Sequence, residues 1–173
     1  DVGAVAVMAV NNETGVIQPF RKIASFLKSE EIPFLRDITQ AVGKLPLVNM
    51  DFGSAYLTLS SHKLRGPKGI GALVKIADAK ISPQILGGAQ ENSFRAGTEN
   101  VSGAIGFAEA VSLRIHELQP CCEGWRSLRK QFWEFLCATC PGVESNTPLD
   151  ANASVENTLN VMFPGISSEA LLV

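Results

Sequence analysis

Residues 3–10 read Gly-Ala-Val-Ala-Val-Met-Ala-Val, a continuous apolar run closed by the polar Asn11-Asn12-Glu13-Thr14-Gly15. A short, Val-rich run without polar alternation suits a strand buried on both faces, as in a parallel sheet. Pro19 is placed to open a helix, Ile23, Phe26 and Leu27 recur at helical spacing, and Lys28-Ser29-Glu30 closes the pattern. Ile32-Pro33-Phe34-Leu35 then reads as a second strand ending at Asp37. Strand, helix and strand within about 35 residues is the length of a βαβ unit.

The chain continues in the same texture. Tyr56-Leu57-Thr58-Leu59-Ser60 is β-rich, and Ile70-Gly71-Ala72-Leu73-Val74 is another apolar run. Between them lies the Gly/Pro-punctuated turn Ser61-His62-Lys63-Leu64-Arg65-Gly66-Pro67-Lys68-Gly69. A second glycine-bearing loop covers 87–100, and a small-residue helix is expected from about Val101 to Leu118, broken by Pro120. Beyond it, Trp125, Leu128, Phe132, Phe135 and Leu136 form a helical stripe expected to be core. Residues 158–163 read as a strand, Pro164-Gly165 as a turn, and Ser167-Ser168-Glu169 as the start of a helix. The change of texture near 116–120 divides the chain into 1–116 and 117–173.

Composition narrows the function. The 173 residues are 46% hydrophobic and 18% charged with a net charge of -2, which is globular material without the basic excess that nucleic acid requires. The apolar runs are far below the roughly 20 residues that span a bilayer. The start, Asp1-Val2-Gly3-Ala4, has no basic leader region, and both ends read as interruptions of a longer protein. Cys137 and Cys140 stand at C-x-x-C spacing, but no second pair accompanies them. They and Cys121 and Cys122 are read as ordinary reduced cysteines, with no metal site expected.

Four polar groups stand at the ends of successive expected strands: Asn12, the pair Asp37 and Gln40, the cluster Ser60-x-His62-Lys63, and Thr98 in the glycine loop. Singly, each reads as a turn residue, a cap or a solvated charge. Together they match one chemical need. A lysine at the end of a buried strand can form a Schiff base with an aldehyde. Pyridoxal phosphate also needs a carboxylate at its pyridine nitrogen, and Asp37 fits that role. Hydroxyls and backbone N–H groups around Ser60, His62 and Thr98 suit the phosphate, and Gln40 and Asn12 suit the phenolic oxygen.

At this point a family resemblance is visible. Val10-Asn11-Asn12-Glu13-Thr14-Gly15, Asp37-Ile38-Thr39-Gln40-Ala41-Val42-Gly43-Lys44, Leu59-Ser60-Ser61-His62-Lys63 through Gly71, and Arg95-Ala96-Gly97-Thr98-Glu99-Asn100 resemble, in order and spacing, the signatures of NifS/IscS-type cysteine desulfurases of the class V aminotransferases. The resemblance implies an α/β fold of the aminotransferase-like type I, with a mixed, mostly parallel sheet in the large domain and the start of a small C-terminal α+β domain. It implies Lys63 as the Schiff-base lysine, Asp37 as the pyridinium partner, Gln40 and Asn12 at the phenolic oxygen, and Ser60 and His62 on the phosphate. It implies a homodimer in which Thr98 reaches the partner's phosphate. The activity implied is conversion of L-cysteine to L-alanine, with persulfide sulfur passed to an acceptor or iron–sulfur scaffold protein. The implied setting is cytoplasmic in a bacterium and mitochondrial in a eukaryote. A selenocysteine lyase and a non-catalytic interaction remnant are the competing readings.

The chain also departs from the family. The positions expected for the nucleophilic cysteine and the carboxylate-binding arginine fall beyond Val173, and the ring-stacking histidine before Asp1, so this stretch is expected to be inactive by itself. Arg36 stands where a buried strand residue is expected, Ile38 where a small residue is usual, and Asn92-Ser93 where Arg-Gly is usual. These changes fit a divergent enzyme and a decaying gene copy alike.

Overall fold

The computed structural model describes residues 2–46, 56–76, 79–150 and 152–172. Val5–Met8 forms β1, Phe20–Ser29 α1 and Phe34–Asp37 β2, and the two strands pair in parallel with Met8 opposite Asp37. The expected βαβ unit is present. Tyr56–Ser60 (β3) adds parallel to β2, and Gly71–Lys75 (β4) returns antiparallel to β3, giving the order β1-β2-β3-β4. The sheet is therefore mixed and mostly parallel.

One expectation for this sheet fails. β1 is shorter than the 3–10 run and, as the edge strand of the described sheet, alternates half-buried with exposed residues rather than being buried on both faces. Helix α1 covers only one face. It buries Phe20, Ala24 and Leu27, while Phe26 points outward, so the buried stripe is shifted from the one the spacing predicted. Ala24 and Leu27 pack with Phe34, Val5, Val7 and Ile32. Arg36, two residues after Phe34, lies on the same face of β2, since side chains alternate along a strand. It is fully buried, with its guanidinium 4.3 Å from the Phe20 ring centre and 5.5 Å from that of Phe34. Cation–π attraction offsets part of the desolvation cost there.

The second core lies at the carboxyl ends of the strands. Ala9, Val10, Ile38, Ala41, Val42, Leu57 and Leu64 meet Phe107 and Ala110 of helix α2, Val101–His116. Asn100 caps this helix, its Oδ1 accepting from Gly103 N at 3.0 Å. The helix lies close over the turn after β3 because Gly66 has no side chain: a Cβ there would collide with Ser61 Oγ and come within 3.0 Å of Ala110 Cβ.

Helix α3 runs Leu118–Thr139, so Pro120 does not break the path but sits in the helix's first turn. The N–H groups of a first turn have no partner within the helix, so proline is tolerated there. The apolar stripe on α3 is not core in the described structure. Leu128, Phe132 and Phe135 are each more than half exposed, and only Leu136 is buried. The strand expected over 158–163 is reduced to Val161–Met162 (β6), paired antiparallel with Glu144–Ser145 (β5). Ser168–Leu171 (α4) starts as expected, with Ser167 Oγ accepting from Ala170 N, and Val173 lies outside the described residues.

The segment 144–163 docks on the turn after β1. Val155 N donates to Gly15 O, Ile17 N to Ala153 O, and Thr147 Oγ1 to Thr14 O. Behind this contact, Glu156 binds Arg129 at 2.6 Å and Arg126 at 2.9 Å, while Arg129 also donates to Ser154 Oγ and Val155 O.

Candidate active site

Parallel pairing is what assembles the polar strand ends. β1, β2 and β3 point the same way, so the turn carrying Asn12, the residues from Asp37 onward, and the turn Ser61–Leu64 all leave the same edge of the sheet. Ligand groups in open α/β sheets gather at this carboxyl edge.

Asp37 is half-buried at the end of β2. Its Oδ1 accepts from Thr39 N at 2.8 Å, which holds the carboxylate at the strand end, and Oδ2 has no hydrogen bond among the described residues. Gln40 follows on a helical turn, where Ala41 N and Val42 N donate to Ile38 O, and Lys44 N and Leu45 N to Ala41 O. Ile38 is buried with Ala41 and Val42 and anchors this turn. Lys44 Nζ donates to Gln40 Oε1. Burial, with the nearby cations Lys63 and Arg114, holds the Lys44 amine below the usual lysine range.

The loop after β3 is a 3₁₀ turn, Ser61–Leu64, closed by Arg65 in the left-handed region at φ 66°. Ser61 and Leu64 point inward, and His62 and Lys63 are exposed. Ser60 Oγ and His62 Nδ1 are 2.9 Å apart, so serine and histidine form one polar unit beside Lys63. Asn12 is exposed after β1, because Asn11 rather than Asn12 closes that turn: Asn11 Oδ1 accepts from Glu13 N, Thr14 N and Thr14 Oγ1. Asn12 makes no hydrogen bond to Asp37 or Gln40.

Thr98 is not in this cluster by any described contact. It is exposed on the loop leading into α2, where Gly97 N donates to Gln90 Oε1 at 3.2 Å. Ser93 sits in the left-handed region at φ 66°, as does Asn92 at φ 55°. Cys137 and Cys140 are both free thiols.

The two described cavities lie elsewhere. One, of about 400 Å³, opens among Leu27, Ile32, Pro33, Phe34 and Tyr56 at the opposite end of the strands. The other, of about 300 Å³, lies along α3.

The aminotransferase class-V family matches residues 1–172. The chain belongs to that family. Among class-V relatives, the protein IscS 1 of Bacillus subtilis is 41% identical over 173 residues, covering 100% of this chain and 45% of the relative. The cysteine desulfurase IscS of Clostridium botulinum strain Hall is 37% identical over 98% of this chain and 43% of its own length. Of solved class-V folds, a NifS-like protein superposes with a TM-score of 0.91 at 35% identity over 98% of this chain and 46% of that one. The chain spans about half the length of the relatives it matches. The fold is thus the aminotransferase-like α/β architecture of that family.

The residue that strand-end reasoning passed over is Lys44. The signal was present as the i, i+4 spacing of Gln40 and Lys44, which brings two side chains together once the segment coils.

Proposed function

We propose that this chain forms the lysine-bearing part of a pyridoxal-phosphate-dependent cysteine desulfurase. The observation that carries the proposal is the shared carboxyl edge of β2 and β3, which brings Asp37 and the Ser60-x-His62-Lys63 turn to one place. The donor set fits the group: an exposed amine, a carboxylate with one open oxygen, and a serine–histidine unit.

In this reading Lys63 holds the aldehyde carbon. Asp37 holds the proton on the pyridine nitrogen through its open oxygen. Gln40 and Asn12 bind the phenolic oxygen, and Ser60 and His62 the phosphate. Thr98 serves the phosphate of a partner protomer, which accounts for its lying apart from the cluster. When bound, pyridoxal phosphate supplies an electron sink for the substrate α-carbon. The substrate is L-cysteine, the product L-alanine, and the sulfur leaves as a persulfide toward an acceptor or iron–sulfur scaffold protein. None of the four cysteines is assigned as its carrier. The reading keeps the division at 116–117, where α2 ends at His116 and α3 begins at Leu118. It also keeps a cytoplasmic setting; no helix among the described residues is long and apolar enough to cross a membrane.

The test is to incubate the protein with pyridoxal phosphate, reduce with borohydride, and map the modified lysine by peptide mass spectrometry. The expected result is a single modification at Lys63, abolished in Lys63→Ala, together with loss of alanine formation from cysteine in the full-length protein. Labelling spread over several lysines, or absent, overturns the assignment.

A further inference from the structure

We propose that Lys44 is a positioning residue that fixes the orientation of the Gln40 side-chain amide; the proposal rests on the cofactor reading above. The two side chains lie four residues apart on one hydrogen-bonded turn, and Lys44 Nζ donates to Gln40 Oε1. An ammonium has three donors and no acceptor, so it can take only the oxygen end of an amide. Gln40 Nε2 is thereby turned the other way as a donor. A donor is what a phenolate oxygen requires, whereas the flipped amide would set oxygen against oxygen.

The turn itself has little freedom. Ile38, Ala41 and Val42 are all at most 4% exposed, and Gly43, at φ 69°, lies where a Cβ would come within 2.9 Å of Arg114 Cβ. The electrostatic setting points to the same role. Besides burial, the charges that hold the Lys44 amine below its usual range are those of two cations, Lys63 on the 3₁₀ turn and Arg114 on α2, and the Cys122 thiol of α3 donates to the Lys44 carbonyl at 3.5 Å. Among the described residues Lys44 makes no ion pair; its side-chain partner is the Gln40 oxygen. A lysine serving stability alone would sit better beside a carboxylate. Here a half-buried cation is held among other cations with an amide oxygen as its partner.

The test uses the full-length protein with pyridoxal phosphate and follows the pH midpoint of the absorbance band of the lysine-linked cofactor. A donor on the phenolic oxygen stabilises its anion, so losing that donor raises the midpoint. Lys44→Met is expected to raise it by about one unit, roughly tenfold in the proton equilibrium, as does Gln40→Ala. In the Gln40→Ala background Lys44→Met adds nothing, and Lys44→Arg, which keeps the donor, keeps the parent midpoint. In the ligand-free protein, the side-chain amide NMR signals of Gln40 shift in Lys44→Met and stay in place in Lys44→Arg. An equal shift of the midpoint in both backgrounds would mean that Lys44 acts by charge alone and overturns the proposal, as does an unshifted Gln40 amide. A parent protein that never forms the lysine-linked band breaks the cofactor reading instead, and the ligand-free amide signals still report separately on the Lys44–Gln40 bond.

Discussion

Two polar clusters, one around Glu156 and one at the strand ends, use their valences differently. In the cluster around Glu156, every charge is answered within the chain. Both carboxylate oxygens are bound by arginines, and Arg129, 8% exposed, also donates to Ser154 and Val155. At the strand-end cluster, Asp37 keeps an open oxygen and Lys63 and His62 face solvent. Of the five described non-glycine residues with positive φ, Arg65 closes the turn that carries Lys63, Glu91, Asn92 and Ser93 lie on the separate loop before Thr98, and Glu31 lies between α1 and β2, while the described residues around Glu156 have none. A network closed on itself holds a fold together, whereas open valences on strained turns are where a ligand finds partners.

The comparison breaks if the closed cluster proves dispensable. Glu156→Ala leaves Arg129 buried without its counter-charge, and a loss of about 3–5 kcal/mol in urea unfolding is expected. Replacing the pair together, Arg129→Met with Glu156→Leu, should recover most of that loss. Labelling of Lys63 in the folded fraction should be unchanged by either variant.

A smaller effect of opposite sign is expected in the glycine loop. Ser93→Gly relieves a left-handed conformation that disfavours a side chain by about 1–2 kcal/mol, and gives back roughly half of that through the freer unfolded chain. A net gain near 0.5 kcal/mol in the same unfolding measurement would sharpen the contrast, and a loss would mean that Ser93 makes contacts worth more than its strain.

The smallest expected effect is a change of slope with pH. The folded Lys44 amine is held below 10.5 by burial, Lys63 and Arg114, so the unfolded chain binds more protons between the lowered value and 10.5. Stability contributed by this group therefore rises with pH through that window. The Cys122 thiol works the other way: burial and Glu156 raise it above 9.0, so its contribution falls as pH climbs through that value. Melting temperatures measured across alkaline pH should lose the rising component in Lys44→Met and the falling one in Cys122→Ala.

Much of this was legible from residue order. The βαβ unit followed from the Val-rich run, the helical spacing after Pro19 and the second run ending at Asp37, because apolar spacing sets the type of element, even where the burial of β1 and α1 differs from it. Three of the motifs placed groups at strand ends for the same local reason, that turns after strands are short and carry their own chemistry, while Thr98 of the fourth lies on the loop before α2. Other features were not legible. The α3 stripe has the spacing of a core helix, yet Leu128, Phe132 and Phe135 lie exposed, since a hydrophobic stripe states what a helix can bury and not what stands opposite it. Pro120 reads as a breaker until its place in the first turn of α3 is known.

The sequence by itself determined the strands, their order of polar ends and the family, because these depend on spacing along the chain. Only the tertiary structure decided that Arg36 is buried over Phe20, that Glu156 reaches Arg129 and Arg126, and that Lys44 takes the oxygen of Gln40 among other cations. The first two contacts span 16 or more positions, and chain separation carries no record of distance. The third joins near neighbours, but its meaning comes from Lys63 and Arg114, which the fold alone brings beside it.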